Sequence, residues 1–369
     1  MADNKENKVL NVPALRFPEF TEEWNYESLD TIAPNITSGR SKPSLGEYNL
    51  YGSTGIIGKT ATADYPGDML LVARVGANAG SLQLVNDSCG ITDNTLIIKP
   101  CKLSSHYLYF YLQHYNLNRL VFGSGQPLIT AGMLKKVRIP FGNQLEQKKI
   151  ENFLCCIDER ITTQNKIIEK LETLIKGIVE LAFSHAATSN TLGCYITQIS
   201  QRNKTGKDLP VLSVSNKHGF VEQSEQFEDR IIASDDTSNY KIVDINDFAY
   251  NPARINVGSI ARLKDKECGI VSPMYICFRT SKDILPEYLE LFFKTVTFSF
   301  EVGKRLEGSV RLCLSYESLC EIVIPIISIR EQQSLVKMVT TFHSKLDVEK
   351  GFLSSYQSQK QCLLSQMFI

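Results

Sequence analysis

The sequence contains a few stretches that resemble cofactor-binding motifs, and each departs from its motif at an essential position. GSTGIIGKT at 52–60 resembles a phosphate-binding P-loop, but five residues lie between Gly52 and Gly58 where the motif requires four. The segment that follows, ATADYPG, also cannot supply the helix whose N-terminus would hold the phosphates. We interpret this stretch as a glycine-rich surface turn.

Two other stretches fail as motifs for similar reasons. In FGSGQ at 122–126 only one residue separates the glycines and no third glycine follows. NPAR at 251–254 resembles the Asn-Pro-Pro-aromatic motif of adenine methyltransferases, but the second proline and the aromatic residue are missing. Neither His-Glu-x-x-His nor Gly-x-Ser-x-Gly occurs, and no nuclease-like set of carboxylates and a lysine is evident. These absences favour a binding or scaffolding role over catalysis.

The cysteines and histidines do not form the spacings of a metal site. Ten cysteines and five histidines are present, but no Cys-x-x-Cys pair occurs, so we expect no metal and interpret the cysteines as free, core-filling thiols. His106 and His114 flank an aromatic segment and fit packing better than catalysis. The polar N-terminus is not a signal peptide, and no run of about 18 apolar residues could span a bilayer, so we expect a cytoplasmic protein.

The overall charge excludes one class of nucleic-acid-binding protein. Lys plus Arg total 40 and Asp plus Glu total 40, so the formal net charge is +0. A protein that coats nucleic acid non-specifically needs a broadly basic surface, which this balance does not provide. Local basic patches remain compatible with it.

The chain contains an internal duplication. Residues 123–183 match residues 308–368 without gaps, with residue numbers that differ by 185, as Ile139-Pro140 against Ile324-Pro325 and Phe183 against Phe368 illustrate. Upstream the match continues with shifted offsets, for example Gly80-Ser81 against Gly258-Ser259. The period is too long for a solenoid, so the sequence predicts a tandem repeat of a domain followed by a helix.

The repeated tails carry an apolar heptad pattern. Alternating spacings of four and three residues place apolar side chains on one seam, which is typical of a coiled coil. The predicted seam residues are Ile150, Leu154, Ile157, Ile161, Ile168, Leu171 and Ile175 in the first tail, and Leu335, Val339, Phe342, Leu346 and Leu353 in the second. A helix over 146–183 would be about 57 Å long at 1.5 Å per residue. The two tails could pair within one chain, which the duplication favours, or between two copies.

The bodies that precede the tails resemble mixed α/β domains. Short β-rich runs such as DMLLVARV and GSIARL alternate with Gly, Asn and Asp turns, and an aromatic helix-like segment follows in each half. We therefore predict a mixed α/β fold with two tandem globular domains separated by two long helices. The predicted boundaries are 1–145 and 186–330 for the domains, and 146–185 and 331–369 for the helices.

Several segments, in this order, resemble the specificity subunit of type I restriction–modification systems. In the first half they are LRFPEF at 15–20 with Trp24, YGSTGIIG at 51–58, VARVGANAG at 72–80, GSGQPLI at 123–129 and IPFGNQLEQKKIENFLCCID at 139–158. In the second half they are SNYKIV at 238–243, AYNPARINVGSI at 249–260 and IPIISIREQQSLV at 324–336. The resemblance covers nearly the whole chain. The second tail departs from it by placing Lys360 at a seam position.

The resemblance implies a DNA-binding subunit without catalytic residues. Each body would be a target-recognition domain that reads one half of a bipartite site in double-stranded DNA. The two long helices would pair antiparallel, in a pseudo-twofold arrangement, and would set the spacer between the half-sites, as protein geometry does in dimeric DNA-binding proteins. Two modification subunits and the restriction subunits would bind this chain. S-adenosylmethionine, ATP and Mg²⁺ would be used by those subunits, and no cofactor is expected in this chain.

Candidate base-reading residues follow from this implication. Arginine and lysine match guanine edges, asparagine and glutamine match adenine, and both should lie on loops next to glycine turns. The candidates are Arg40, Lys42, Arg74, Asn78 and Gln126 in the first body, and Arg202, Lys204, Lys207, Arg254, Asn256 and Arg311 in the second. The same side chains could instead contact phosphates, or form only a solvated surface. We expect Arg74 and Arg254, and likewise Gln126 and Arg311, to occupy comparable places.

Two other functional classes remain open at this stage. A coiled-coil adaptor without any DNA role would have the same helices, and its behaviour would not depend on Arg74 or Arg254. A DNA-processing enzyme would need a catalytic cluster, which the sequence does not display.

Overall fold

A computed structural model describes residues 11–121, 127–184, 188–204, 206, 208–216, 218–223, 237–308 and 311–369. The chain divides into two compact units. Unit 1 comprises Met1–Lys166 and Lys350–Ile369, and unit 2 comprises Ile167–Glu349. Each unit thus contains one of the duplicated bodies and a part of each long helix.

The elements of the two bodies follow the same order along the chain. The first body has strands β1 (Asn25–Ser28), β2 (Thr37–Ser38), β3 (Tyr48–Gly52), β4 (Gly55–Thr60), β5 (Met69–Ala73), β6 (Leu82–Val85), β7 (Gly90–Ile91), β8 (Thr95–Ile98) and β9 (Arg138–Phe141), with helices α1 (Leu29–Ile32), α2 (Ser105–Tyr115) and α3 (Ala131–Lys135). The first long helix, α4, spans Gln144–Ser184. The second body has strands β10 (Thr188–Thr191), β11 (Ile196–Ile199), β12 (Val211–Ser215), β13 (Gly219–Glu222), β14 (Lys241–Asp244), β15 (Phe248–Tyr250), β16 (Ile260–Arg262), β17 (Cys268–Val271), β18 (Ile276–Thr280) and β19 (Val323–Ile326), with helices α5 (Pro286–Phe292), α6 (Val296–Arg305) and α7 (Tyr316–Cys320). The second long helix, α8, spans Ile329–Met367.

The sheets of the two bodies have the same strand order, except that the smaller sheet of unit 2 has a fourth strand, β14, beside β17. The larger sheet has the strand order β2-β8-β5-β6 in unit 1 and β11-β18-β15-β16 in unit 2, and its pairs are antiparallel. A smaller sheet, β4-β3-β7 or β13-β12-β17-β14, contains one parallel pair in each unit. An antiparallel ribbon, β1-β9 or β10-β19, leads into each long helix. The predicted mixed α/β duplication is therefore confirmed.

The core of unit 1 lies between its larger sheet and α2. All five residues of β5 are buried, which explains its uninterrupted apolar sequence, MLLVA. Helix α2 begins after Ser104, whose side chain accepts a hydrogen bond from the backbone N–H of Tyr107, and it ends at Asn116 in the left-handed conformation. Its buried Leu108 belongs to the same apolar cluster as Leu70 of β5. The sheet is thereby held against the beginning of α4.

Equivalent hydrogen bonds join the ribbon to the aromatic helix in both units. The hydroxyl of Tyr107 donates to the carbonyl of Pro140 at 3.0 Å, and the hydroxyl of Tyr288 donates to the carbonyl of Pro325 at 2.8 Å. Pro140 and Pro325 correspond in the duplication, since their numbers differ by 185. The duplicated sequence therefore produces duplicated side-chain contacts as well as duplicated strands.

The long helices bury one stripe each. Among the predicted seam residues, those buried are Ile150, Leu154, Ile157, Ile168, Ile175, Leu335, Val339 and Leu346, and those half-buried are Ile161, Leu171, Phe342 and Leu353. The helices begin at residues 144 and 329, two residues before the predicted 146 and 331. The reason is local, because Asn143 and Ser328 accept the backbone N–H groups of residues 146 and 331 and so cap the first turns.

Within unit 1 the two helices run antiparallel. The ammonium of Lys360 lies 2.6 Å from the carboxylate of Asp158. Leu364 and Met367 of α8 share a buried cluster with Ile150 and Leu154 of α4. Higher residue numbers on one helix therefore meet lower numbers on the other, as the fold prediction requires. Lys360, which looked unfavourable as a seam residue, is accommodated by an ion pair.

Candidate nucleic-acid interface

In unit 1 two of the candidate arginines lie at the same end of the larger sheet. Strand β8 pairs antiparallel with both β2 and β5, so the ends of β2 and β5 meet the beginning of β8 at Thr95. The backbone N–H of Gly39 donates to the carbonyl of Thr95 at 3.0 Å, and that of Arg74 donates to the carbonyl of Asn94 at 2.9 Å. Arg40 and Arg74 therefore flank one turn, although 33 residues separate them in the sequence.

Glycine 39 explains how the chain approaches this turn so closely. A Cβ atom at Gly39 would lie 2.2 Å from the carbonyl oxygen of Ile91, so no other residue fits without a backbone shift. Two residues further on, the backbone N–H of Ser41 donates to the same carbonyl at 2.9 Å. Arg40 and Lys42 are both exposed on this segment. The segment thus presents two cations to solvent from a backbone fixed by the sheet.

Asn78 lies in a tight turn between β5 and β6. Gly76 and Gly80 have φ angles of 79° and 93°, in the left-handed region that favours glycine. The carbonyls of Gly76 and Asn78 accept hydrogen bonds from the backbone N–H groups of Ala79 and Ser81. The Asn78 side chain is exposed at this turn, adjacent in the sequence to Arg74 and at the same end of the sheet.

Arg74 differs from the other candidates because its side chain is partly buried. Its carbonyl accepts a hydrogen bond from the backbone N–H of Ile129 at 2.8 Å, so the backbone is held from both sides. Its Nε is buried and has no hydrogen-bond partner among the described residues. A buried donor without an acceptor is uncommon in native proteins. The guanidinium of this half-buried side chain can donate hydrogen bonds to a guanine edge or a phosphate.

Unit 2 brings its candidates together in the same way. Strands β11 and β15 both end where β18 begins, since Ile199 pairs with Cys277 and Tyr250 with Ile276. Arg202 and Lys204 follow β11, and Arg254 and Asn256 follow β15. These four side chains are all exposed. The guanidinium of Arg202 is oriented by a 2.9 Å hydrogen bond to the side-chain oxygen of Asn239.

The loop after β15 is built by a side-chain turn and a glycine. The side-chain oxygen of Asn251 accepts the backbone N–H of Ala253 at 3.1 Å, an Asx turn that reverses the chain before Arg254. Gly258 closes the loop with a φ of 89°. The carbonyl of Pro252 accepts the backbone N–H of Leu314 at 3.1 Å, which brings the exposed Arg311 loop to the same end of the sheet.

The structure shifts one proposed equivalence by two residues. The backbone N–H of Ile129 bonds to the carbonyl of Arg74, and that of Leu314, its duplicate at a difference of 185, bonds to Pro252. Arg74 therefore corresponds to Pro252, and Arg254 lies two residues further along the comparable loop. Gln126 and Lys207 lie outside the described residues, so the proposed match of Gln126 with Arg311 remains a prediction.

Sequence reasoning missed one element at this end of unit 2. The hairpin turn between β12 and β13 exposes Asn216 and His218. A Cβ atom at Gly258 would lie 3.7 Å from the Cβ of Asn216, so this turn adjoins the loop that carries Arg254. The signal was present in the sequence, because LPVLSVS at 209–215 is a β-rich run followed by Asn-Lys-His-Gly, a hairpin-like turn.

Neither a metal cluster nor a membrane span is found where the structure describes the chain. No group of three or more His, Cys, Asp or Glu side chains could hold a metal ion in the described ranges. Over the same ranges, no helix is long and apolar enough to cross a bilayer. The arrangement offers exposed cations and amides at the ends of rigid sheets, which can donate hydrogen bonds to nucleic-acid bases or phosphates.

Comparison with known proteins gives one family match. Residues 9–173 match the model of the type I restriction modification DNA specificity domain. No protein among the curated sequences matches the chain significantly. The family match includes the whole first body and most of α4.

Solved structures with a similar fold cover nearly the entire chain. The S subunit of the type I restriction–modification system of M. genitalium aligns with a TM-score of 0.62 and 20% sequence identity, covering 97% of this chain and 99% of that one. A chain from a structure described as the basis of complex assembly and conformational transition of the type I R-M system aligns with a TM-score of 0.55 and 14% identity. That alignment covers 94% of this chain and 97% of that one. At these identities the likeness establishes the fold.

Proposed function

We propose that the whole chain is the sequence-reading subunit of a type I restriction–modification system, because residues 9–173 match the model of the DNA specificity domain of such systems. Each body reads one half of a bipartite site in double-stranded DNA. The chain performs no bond-making chemistry itself. The modification and restriction subunits carry out the methylation and cleavage of DNA, using S-adenosylmethionine, ATP and Mg²⁺.

One observation carries the proposal for DNA reading. In each unit, cationic side chains from separate segments converge on one end of the larger sheet: Arg40 and Arg74 in unit 1, Arg202 and Arg254 in unit 2. Asn78 and Asn256 lie on the same loops as Arg74 and Arg254. Arginine recognises guanine through two parallel hydrogen bonds and asparagine recognises adenine, so each cluster contains side chains that distinguish bases.

The duplication supports a bipartite site. Two bodies with one topology but different loop residues would read two different half-sites, so the target need not be palindromic. The helices α4 and α8 join the bodies within one chain, and a fixed distance between readers becomes a fixed number of base pairs between half-sites. The helices also offer long exposed faces on which two modification subunits and, through them, the restriction subunits assemble.

The charge balance predicts how the isolated chain behaves. Its formal net charge is +0, so the chain lacks the broadly basic surface that gives strong non-specific binding, and its contacts to phosphates come from local cations. We expect the chain alone to bind weakly and in a salt-sensitive way, with most of the affinity supplied by the assembled complex.

A map of DNA methylation tests the proposed function. The chain is produced together with the modification subunit encoded beside it, and methylated adenines are located across the host DNA. We expect a motif of two short half-sites around a constant gap, absent from cells without this chain. If both proteins are soluble and associated but no new methylation appears, DNA reading is wrong and the coiled-coil adaptor becomes the better hypothesis.

A further inference from the structure

An N-terminal arm, defined as residues 11–24, covers the beginning of α4 in unit 1. The guanidinium of Arg16 donates two hydrogen bonds to the carboxylate of Glu146, at 2.7 and 2.8 Å. The Glu146 side chain is only 1% exposed. Phe17 packs edge-to-face on Phe153 with ring centroids 6.1 Å apart. The arm therefore contributes an arginine and an aromatic ring, one after the other, to one helix face.

The duplication places the same helix face in unit 2. Glu146 and Phe153 correspond to Glu331 and Met338 of α8, since both pairs differ by 185. We call these two residues the arm-equivalent face. Glu331 is exposed, and Met338 retains 48% of its accessible surface. In both helices a carboxylate precedes an apolar side chain by seven residues, which is two helical turns. In unit 1 the arm packs on these two side chains, whereas in unit 2 both are exposed.

Among the described residues, no second arm precedes the second body. Strand β1 is preceded by the arm, whereas the equivalent strand β10 is preceded by the end of α4. Across the described residues, Glu331 forms no ion pair, and its carboxylate accepts hydrogen bonds from the backbone N–H and the hydroxyl of Ser328. Burial and, after it, the charge of Glu331 raise the pKa of Tyr288. The hydroxyl of Ser328 also accepts the backbone N–H of residue 331, so the helix keeps a cap if the carboxylate turns to another partner.

We infer that the arm-equivalent face binds a segment of a partner protein that presents an arginine followed by an aromatic residue. Charge complementarity supports this occupant, because an exposed carboxylate fits a guanidinium with two hydrogen bonds, as Glu146 fits Arg16. Met338 offers the polarizable surface that an aromatic ring prefers. A second copy of this chain is a poorer occupant, since its own Arg16 is already held by the buried Glu146.

A partner segment need not share every residue of the arm to bind the arm-equivalent face. In unit 1, Lys149 lies over the ring of Phe17 and also forms an ion pair with Glu19. The equivalent of Lys149 in unit 2 is Ser334, which offers no cation. The partner segment therefore needs the arginine and the ring but gains nothing from an acidic residue at the position of Glu19.

A labelled peptide provides a direct test. The probe is a fluorescent peptide with the sequence of residues 11–24, titrated into the full-length chain and followed by anisotropy. We expect saturable binding that weakens about tenfold or more in Glu331→Gln and in Met338→Ser, because a charge-assisted pair and an apolar contact are lost. A peptide with Arg16→Gln should bind equally poorly to all proteins.

Matched controls on the same helix make the result decisive. Asp347 and Val348 are also exposed on α8, so Asp347→Asn and Val348→Ser should leave peptide binding unchanged. Binding that is indifferent to Glu331→Gln would overturn the inference, since the peptide would then occupy another surface, such as the unit 1 site. A dimer of the chain that Glu331→Gln dissociates in light scattering would also overturn it, by assigning the face to a second copy.

Discussion

The ring of Phe368, one residue before the end of the chain, lies 5.5 Å from the ring of Tyr107 in the core of unit 1. Trp24, Tyr111 and His114 also contact Phe368. In unit 2, Phe183 occupies the corresponding place, 4.7 Å from Tyr288. In each unit, therefore, a phenylalanine at the C-terminal end of a long helix packs against the aromatic helix of the body.

Removing these rings should loosen one unit at a time. Phe368 and Phe183 are 3% and 6% exposed, so each Phe→Ala change should cost about 3 kcal/mol or more of local stability. Hydrogen exchange of backbone amides measures the effect. We expect Phe368→Ala to accelerate exchange in α2, and Phe183→Ala to accelerate it in α5. Equal acceleration in both helices by either variant would contradict this assignment.

The Lys360–Asp158 pair should stabilise the helix pairing in unit 1. The Lys360 side chain is 14% exposed and also lies 5.4 Å from the ring of Phe110. Lys360→Ala should lower the free energy of unfolding by about 1–3 kcal/mol. A double-mutant cycle with Asp158→Ala in urea isolates the pair, and additive effects of the two changes would show that they do not interact. Lys345→Ala, an exposed position on the same helix, provides the control.

Acid should weaken the packing of His114 against Phe368 in unit 1. Burial, together with the nearby Arg119, holds the pKa of His114 below its ordinary value of 6.5. Because the folded state prefers the neutral ring, its contribution is complete above pH 6.5 and is lost as the pH falls through the lowered folded pKa. Unfolding measured between pH 7.5 and 5 should show a smaller loss in His114→Gln than in the unchanged chain. The pKa of His343 is lowered too, mainly by burial, so the comparison rests on the difference between the two proteins.

Gly39 should be intolerant of even one added methyl group. A Cβ there would lie 2.2 Å from the carbonyl oxygen of Ile91, whereas a Cβ at Gly58 would meet nothing within 4 Å. Gly39→Ala should destabilise the chain by about 1–3 kcal/mol, and Gly58→Ala should change stability by less than about 0.5 kcal/mol. Thermal unfolding of both variants checks this. A neutral Gly39→Ala would mean that the segment carrying Arg40 can move freely.

The two bodies should read different half-sites independently. A bidentate contact to one base contributes about 1–3 kcal/mol of discrimination against the wrong base. Arg74→Ala should therefore lower the preference for the correct base at one position of one half-site by about tenfold. Arg254→Ala should relax a position in the other half-site. Methylation rates of the assembled complex on site variants measure both effects. Arg330→Ala, an exposed arginine at the start of α8, should change neither. A uniform loss over all sites would instead indicate phosphate contact.

Much of the fold could be predicted because its signals are local. The heptad pattern predicts helices over 146–185 and 331–369, close to the observed α4 and α8, since the period of a helix is set by residues three and four apart. The capping turns at Asn143 and Ser328 account for the small difference at the helix starts. The duplication likewise predicts that both bodies share one topology, because similar sequences form similar elements.

The sequence by itself determined the number of bodies, the two long helices, and which residue types are available to contact DNA. Tertiary structure alone decided which of those residues lie together. Arg40 and Arg74 converge because β8 pairs between β2 and β5, and Lys360 meets Asp158 because α8 returns to unit 1. Such pairings join residues far apart in the chain and depend on how whole elements bury their apolar faces, so no local pattern encodes them.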